Sequence, residues 1–83
     1  MTRRVYRPRP VRVELDRMGA GGAPVAVGRA TVDSVREEWV IEDRWWTAHP
    51  LRRRYLELTT ADGVNRVVFC DLESGRWFAQ RGA

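Results

Sequence analysis

"RRRYLELTTADGVNRVVFCDLESGRWFAQ", residues 52–80, decides the fold. Three strand-like stretches are separated by two short turn signals. In residues 52–60, Leu56 and Leu58 share one face while Tyr55 and Glu57 share the other, which is the period of a strand. "ADG" at 61–63 is a hairpin signal, because glycine admits the positive φ that tight turns require. Residues 65–72 are apolar on both faces, with Val67 and Phe69 on one and Val68, Cys70 and Leu72 on the other. A strand of that kind belongs in the middle of a sheet. "ESG" at 73–75 is a second tight turn, and residues 76–80 form a last strand. Consecutive hairpins of this kind point to an antiparallel meander.

Upstream, "EDRWW" continues an extended pattern. A strand from about Trp39 puts Trp39, Ile41 and Trp45 on one face, and Val40, Glu42, Arg44 and Trp46 on the other. Trp45 and Trp77 are then expected in the core, and Trp46 is left beside Arg44. Pro50 holds His49 extended and ends the strand. Residues 33–38 stay open: Ser34 with Glu37 fits a capping box and a short helical turn, while the flanking residues read as strand. Residues 25–32 are a strand in which Gly28 marks a bulge or a second turn. "GAGGAP" at 19–24 is a break, and "VRVEL" at 11–15 alternates strictly. The expectation is one all-β domain over residues 11–83. It is a five- or six-stranded antiparallel meander that curls into a small SH3-like barrel, whose closure hides the sheet edges.

All fifteen basic residues are arginine, and five of them fall in the first twelve positions, which hold no acid. The remaining ten face eleven acids, so the net charge of +4 is that of a basic segment on a nearly neutral body. Residues 1–10 read as a flexible basic arm, extended by Pro8 and Pro10. Its Arg3, Arg4, Arg7 and Arg9 are candidate phosphate contacts. The single cysteine excludes an intrachain disulfide and suits a reducing compartment. "MTRRVYRPRP" has no apolar run behind its charges, and no stretch is long enough for a membrane span. A soluble cytoplasmic protein is expected.

Catalytic chemistry finds little purchase. One His and one Cys cannot build a zinc site of the usual kind. Cys70 and His49 form a conceivable nucleophile and base, but a cysteine between Val68 and Leu72 is ordinarily an inert small hydrophobe. Glu37, Glu38, Glu42 and Asp43 read as an exposed strand face, and "GAGG" lacks the Lys-Ser/Thr ending of a phosphate loop. No enzyme, metal or cofactor is expected.

Binding is better supported. Trp46, Arg44, Tyr55, Arg52, Arg53 and Arg54 are the candidate contact residues. Aromatic rings stack on bases at about 1–3 kcal/mol each while arginines track the backbone, so single-stranded nucleic acid is one expected class of partner. Acids alternate with these arginines and repel phosphate, which favours cross-strand pairs or a protein partner.

The run "WVIEDRWW", then "RRY", "DG" and "FCDLESGRWFAQR", resembles DUF6504, a small bacterial domain of unknown function. Its members occur alone or at the C-terminus of the inactive, Y-family polymerase-like subunit of mutasomes. The similarity spans about residues 39–81. It implies a setting in translesion DNA synthesis and DNA damage tolerance, with the error-prone polymerase or other mutasome subunits as partners. It implies no catalytic residues.

Overall fold

The computed structural model describes residues 8–17, 22–44, 46–48 and 50–80. Their strands are β1 (Arg9–Pro10), β2 (Val13–Leu15), β3 (Pro24–Val27), β4 (Ala30–Asp43), β5 (Leu51–Thr60), β6 (Asn65–Asp71) and β7 (Trp77–Gln80). They form one antiparallel sheet in the order β1-β7-β6-β5-β4-β3-β2, curled into a half-barrel. The all-β expectation holds, with seven strands in place of five or six.

Two local events account for the extra strands. Gly28, at φ 58, makes a two-residue turn with Arg29 that closes Val27 onto Ala30. Residues 25–32 are therefore a hairpin and not one strand. Arg9 and Pro10 pair with Ala79 and Phe78, so the tail end of the expected arm belongs to the sheet. Proline is tolerated there because β1 is an edge strand. Arg3, Arg4 and Arg7 lie outside the described residues.

The stretch that was open between helix and strand is strand throughout. Ala30–Asp43 is continuous, but its register against β5 shifts between Val32 and Ser34 and again between Val35 and Glu37. Asp33 and Arg36 are the extra residues. Each bulge turns the following side chains over. Val32 and Val35 thus come to lie opposite Thr60 and Leu58 on one face although they are three positions apart. That spacing imitates a helical turn in the sequence.

Burial concentrates on β5 and β6. One face carries Leu56, Leu58 and Val68 with Val27, packed by Val11, Val13, Val32, Trp77 and Ala79. The other carries an aromatic row that crosses four strands. Trp39 lies opposite Tyr55, Tyr55 opposite Phe69, and Phe69 opposite Phe78. Their ring centroids are 5.4, 4.9 and 5.2 Å apart. Directly opposed aromatic pairs add to area burial in this way. Phe69, at 2% exposure, is as enclosed as Leu56 at 1%. The two interior strands are thus covered on both sides.

The turns use the chemistry their sequence announces. Gly63 and Gly75 adopt φ 81 and 75. In the β5–β6 turn, the Asp62 carboxylate accepts from the Thr60 hydroxyl, from the Val64 amide and from Arg66. These bonds, the Thr60 hydroxyl foremost, hold the Asp62 carboxyl below its ordinary value of 3.8.

Two predictions follow from packing and from this turn. Leu56→Ala should cost about 2–5 kcal/mol and Phe69→Ala about 3–5 kcal/mol, while Val40→Ala should cost under about 1 kcal/mol, all read from urea midpoints. A depressed carboxyl stabilises the fold above its unfolded value and loses that contribution as pH falls through the folded one. Stability should therefore drop on acidification below about pH 4, and Asp62→Asn should flatten that part of the stability–pH curve.

Candidate interaction surface

The candidate residues do not form one patch. β4 ends at Asp43, before the tryptophan pair, because Arg44 adopts φ 54. A positive φ in a residue other than glycine breaks the extended backbone. The turn is held by the Arg44 amide donating to the Asp43 carboxylate at 2.7 Å. The Thr47 amide and hydroxyl both donate to the Arg44 carbonyl, at 3.0 and 2.8 Å. The strand therefore does not continue to Trp46. Trp46 is 66% exposed. Trp45 and His49 lie outside the described residues.

The three adjacent arginines go three ways. Arg52 stands between Glu42 and Glu73, at 3.5 and 3.8 Å, in a surface ion-pair network. Arg53 lays its guanidinium on the Phe69 ring, 4.6 Å from the centroid, and donates to the Tyr55 hydroxyl at 3.2 Å. Its Nε is buried without a hydrogen-bond partner. The aromatic face offsets that loss through cation–π attraction. Arg54 turns into the curled interior and is 9% exposed. It donates to Glu38 at 2.6 Å and to the Gly22 carbonyl at 2.9 Å.

Gly22 itself is buried against the chain before it. A Cβ there would stand 2.7 Å from the Arg17 carbonyl oxygen. Only glycine lets the loop come close enough for Arg54 to reach it. Arg54 is thus a structural strut and not a surface contact. Tyr55, the remaining candidate, is sandwiched between Trp39 and Phe69 and is 9% exposed.

Sequence reasoning passed over a different feature. β3 pairs with β4 only at Ala30 and Thr31. From Val32 to Asp43, β4 has β5 on one side and, among the described residues, no strand on the other. Every residue from Asp33 to Asp43 is exposed. Val35, Trp39, Val40 and Ile41 are 37–54% exposed. A long unpaired strand edge bearing large apolar side chains is a template for pairing with another chain. Its trace in the sequence is "EEWVIED", where acids flank three apolar residues with no turn signal nearby.

A concavity of about 900 Å³ lies between β1, the β3–β4 turn and the β5–β6 turn. It is lined by Arg9, Arg29, Thr31, Asp62, Arg66 and Val68 among others. Arg66 is already committed there to Asp62 and to the Thr60 hydroxyl, at 3.1 and 3.0 Å. Cys70 lies buried in β6, where desolvation pushes its thiol up and away from the reactive thiolate. Among the described residues no group of three or more His, Cys, Asp or Glu is placed to hold a metal ion. None of these residues forms a helix long and apolar enough to cross a membrane.

Comparison with family models, curated proteins and solved structures produced no match to this chain.

The ion pairs differ in environment, and their energies should follow. Glu38→Ala takes the carboxylate from the buried Arg54 guanidinium, which keeps its bond to the Gly22 carbonyl, and should cost about 1–2 kcal/mol, reduced from the fully buried case because Glu38 is half exposed. Glu42→Ala loosens only a solvated pair and should cost at most about 0.5 kcal/mol. Chemical denaturation of the two variants checks the order.

Proposed function

We propose that this is a non-catalytic protein-interaction module acting in the cytoplasm in bacterial DNA damage tolerance. The observation that carries the reading is the open edge of β4, with Trp39, Val40 and Ile41 exposed along it. Extended segments of partner proteins add to such edges, main-chain hydrogen bonds supplying affinity and side-chain contacts specificity. The similarity of residues 39–81 to DUF6504 supports translesion synthesis as the setting. It makes the error-prone polymerase and mutasome subunits the partners to test.

An SH3-like barrel is the finer architecture we propose. β1 and β2 stand at opposite ends of the strand order and are separated only by Val11 and Arg12. The Val11 amide donates to Trp77 on one side, and the Arg12 carbonyl accepts from Gly28 on the other. A single kinked segment bridging both ends of a sheet supports closure.

Binding of single-stranded nucleic acid is the second reading, and exposed Trp46 is what favours it. It is weakened by the arginines. Arg52 is engaged by carboxylates, Arg53 by an aromatic face and Arg54 by the interior.

Co-expression with the error-prone polymerase and the polymerase-like mutasome subunit tests the first reading. Capture of either should be lost in the double variant Val40→Ser, Ile41→Ser with its thermal midpoint near that of the parent chain. Undiminished capture would remove the β4 edge from the function. Tryptophan quenching by single-stranded DNA, with affinity falling steeply as salt rises, would favour the second reading instead.

A further inference from the structure

The usable part of the β4 edge is short and chemically biased. Bulges at Asp33 and Arg36 twist its first half, and bulges blunt an edge against pairing. From Glu37 to Asp43 the register against β5 is unbroken, Glu37 facing Glu57 and Asp43 facing Leu51. Those seven residues, "EEWVIED", hold four acids and no base. On the face of the aromatic row lie Glu37, Trp39, Ile41 and Asp43; on the other lie Glu38, Val40 and Glu42.

The charges on the two faces are not equally satisfied. Glu38 and Glu42 are held by Arg54 and Arg52. Glu37 has no ion-pair partner among the described residues and stands directly opposite a second acid, Glu57. Like charges directly opposed across strands destabilise a sheet. The aromatic-row face of the edge thus presents a like-charge pair at one end, Asp43 at the other, and two large apolar side chains between them.

A second copy of this chain fits that edge poorly. Antiparallel self-pairing centred on Val40 would set Glu37 against Asp43 and Glu38 against Glu42. We infer that the β4 edge takes an extended, basic segment of another protein as an added strand. On the face of the aromatic row its pattern is basic, any, apolar, any, apolar, any, basic. The outer basic residues meet Glu37 with Glu57 and Asp43, and the apolar pair meets Trp39 and Ile41. The pattern reads the same in both directions, so it suits parallel and antiparallel addition alike. This inference rests on the reading of β4 as an interaction edge and adds the chemistry of its occupant.

The probe is a synthetic peptide, Ser-Arg-Thr-Val-Thr-Val-Thr-Arg-Ser, titrated into the full chain and followed by amide hydrogen exchange and backbone NMR. Protection confined to residues 37–43, with affinity about tenfold above that of the peptide carrying Glu in place of both Arg, supports the inference. Glu37→Arg should weaken the basic peptide about as much while leaving the thermal midpoint unchanged or raised, since it relieves the Glu37–Glu57 opposition. Equal binding of the acidic and basic peptides would overturn it, as would the absence of protection at 37–43. Concentration-dependent dimers that protect the same amides would assign the edge to a second copy. Tighter binding by the peptide of residues 2–8 would assign it to the chain's own arm. If mutasome capture needs Val40 and Ile41 but no basic peptide binds, this inference falls and the proposed function stands. If capture ignores those residues, the proposed function falls instead.

Discussion

Burial of β5 and β6 on both faces is the constraint from which the rest of the structure follows. An 83-residue chain hides a smaller fraction of its surface than a large protein does, so a one-sided sheet would leave too little apolar area enclosed. Here Leu56, Leu58 and Val68 fill the curled side while Tyr55 and Phe69 are enclosed on the opposite side. Two thin layers, one aliphatic and one aromatic, share the same pair of strands. Each layer needs the register of the other, because a one-residue slip of β5 would exchange Leu56 with Tyr55 and spoil both at once. The tight turns at Gly63 and Gly75 fix that register from either side of β6.

The same constraint decides the fate of the arginines. A row of rings exposed on the outer side would be an aggregation hazard if left bare. Arg53 and Arg76 lie over Phe69 and Phe78, at 4.6 and 5.9 Å from their centroids. Guanidinium groups suit this use because they are flat and less strongly hydrated than ammonium. On the inner side, Arg54 spans from the sheet to the Gly22 loop and ties the first hairpin to the centre. Much of the arginine content of residues 52–76 therefore serves the fold. That leaves less of it to contact phosphate than composition suggests.

The strands from Leu51 to Gln80 could be read because their alternation and turn residues agree at every step. Residues 30–43 could not be read as cleanly. Two bulges shift their period, and a bulge is set by pairing with a neighbour and not by local preference. The end of β4 was hidden for a related reason: nothing in "EDRWW" marks Arg44 as the residue that takes a positive φ. Arg54 was misplaced because a charged residue in an alternating strand reads as solvent-facing. Its burial depends on a carbonyl 32 positions away. The open edge leaves only the faint trace of "EEWVIED", since an unpaired strand and a paired one differ little in sequence. Only the two-residue overlap of β3 with β4 shows the difference.

An exposed edge is ordinarily a liability, and this one is kept ordered at some cost. Glu37–Asp43 would fray if β5 were not rigid beneath it. The stacking of Trp39 on Tyr55, with planes 4° apart, fastens the strand at its midpoint. The Glu38–Arg54 and Glu42–Arg52 pairs fasten it on the other face. Closing the edge would have required β3 to stay paired further back from the turn, yet its pairing with β4 reaches only from Val27 to Ala26. A strand held extended by β5, with its other edge open, has already lost the conformational entropy that strand addition would otherwise cost. A partner segment would have to order only itself, and preorganisation of that kind converts a short stretch of backbone hydrogen bonds into useful affinity.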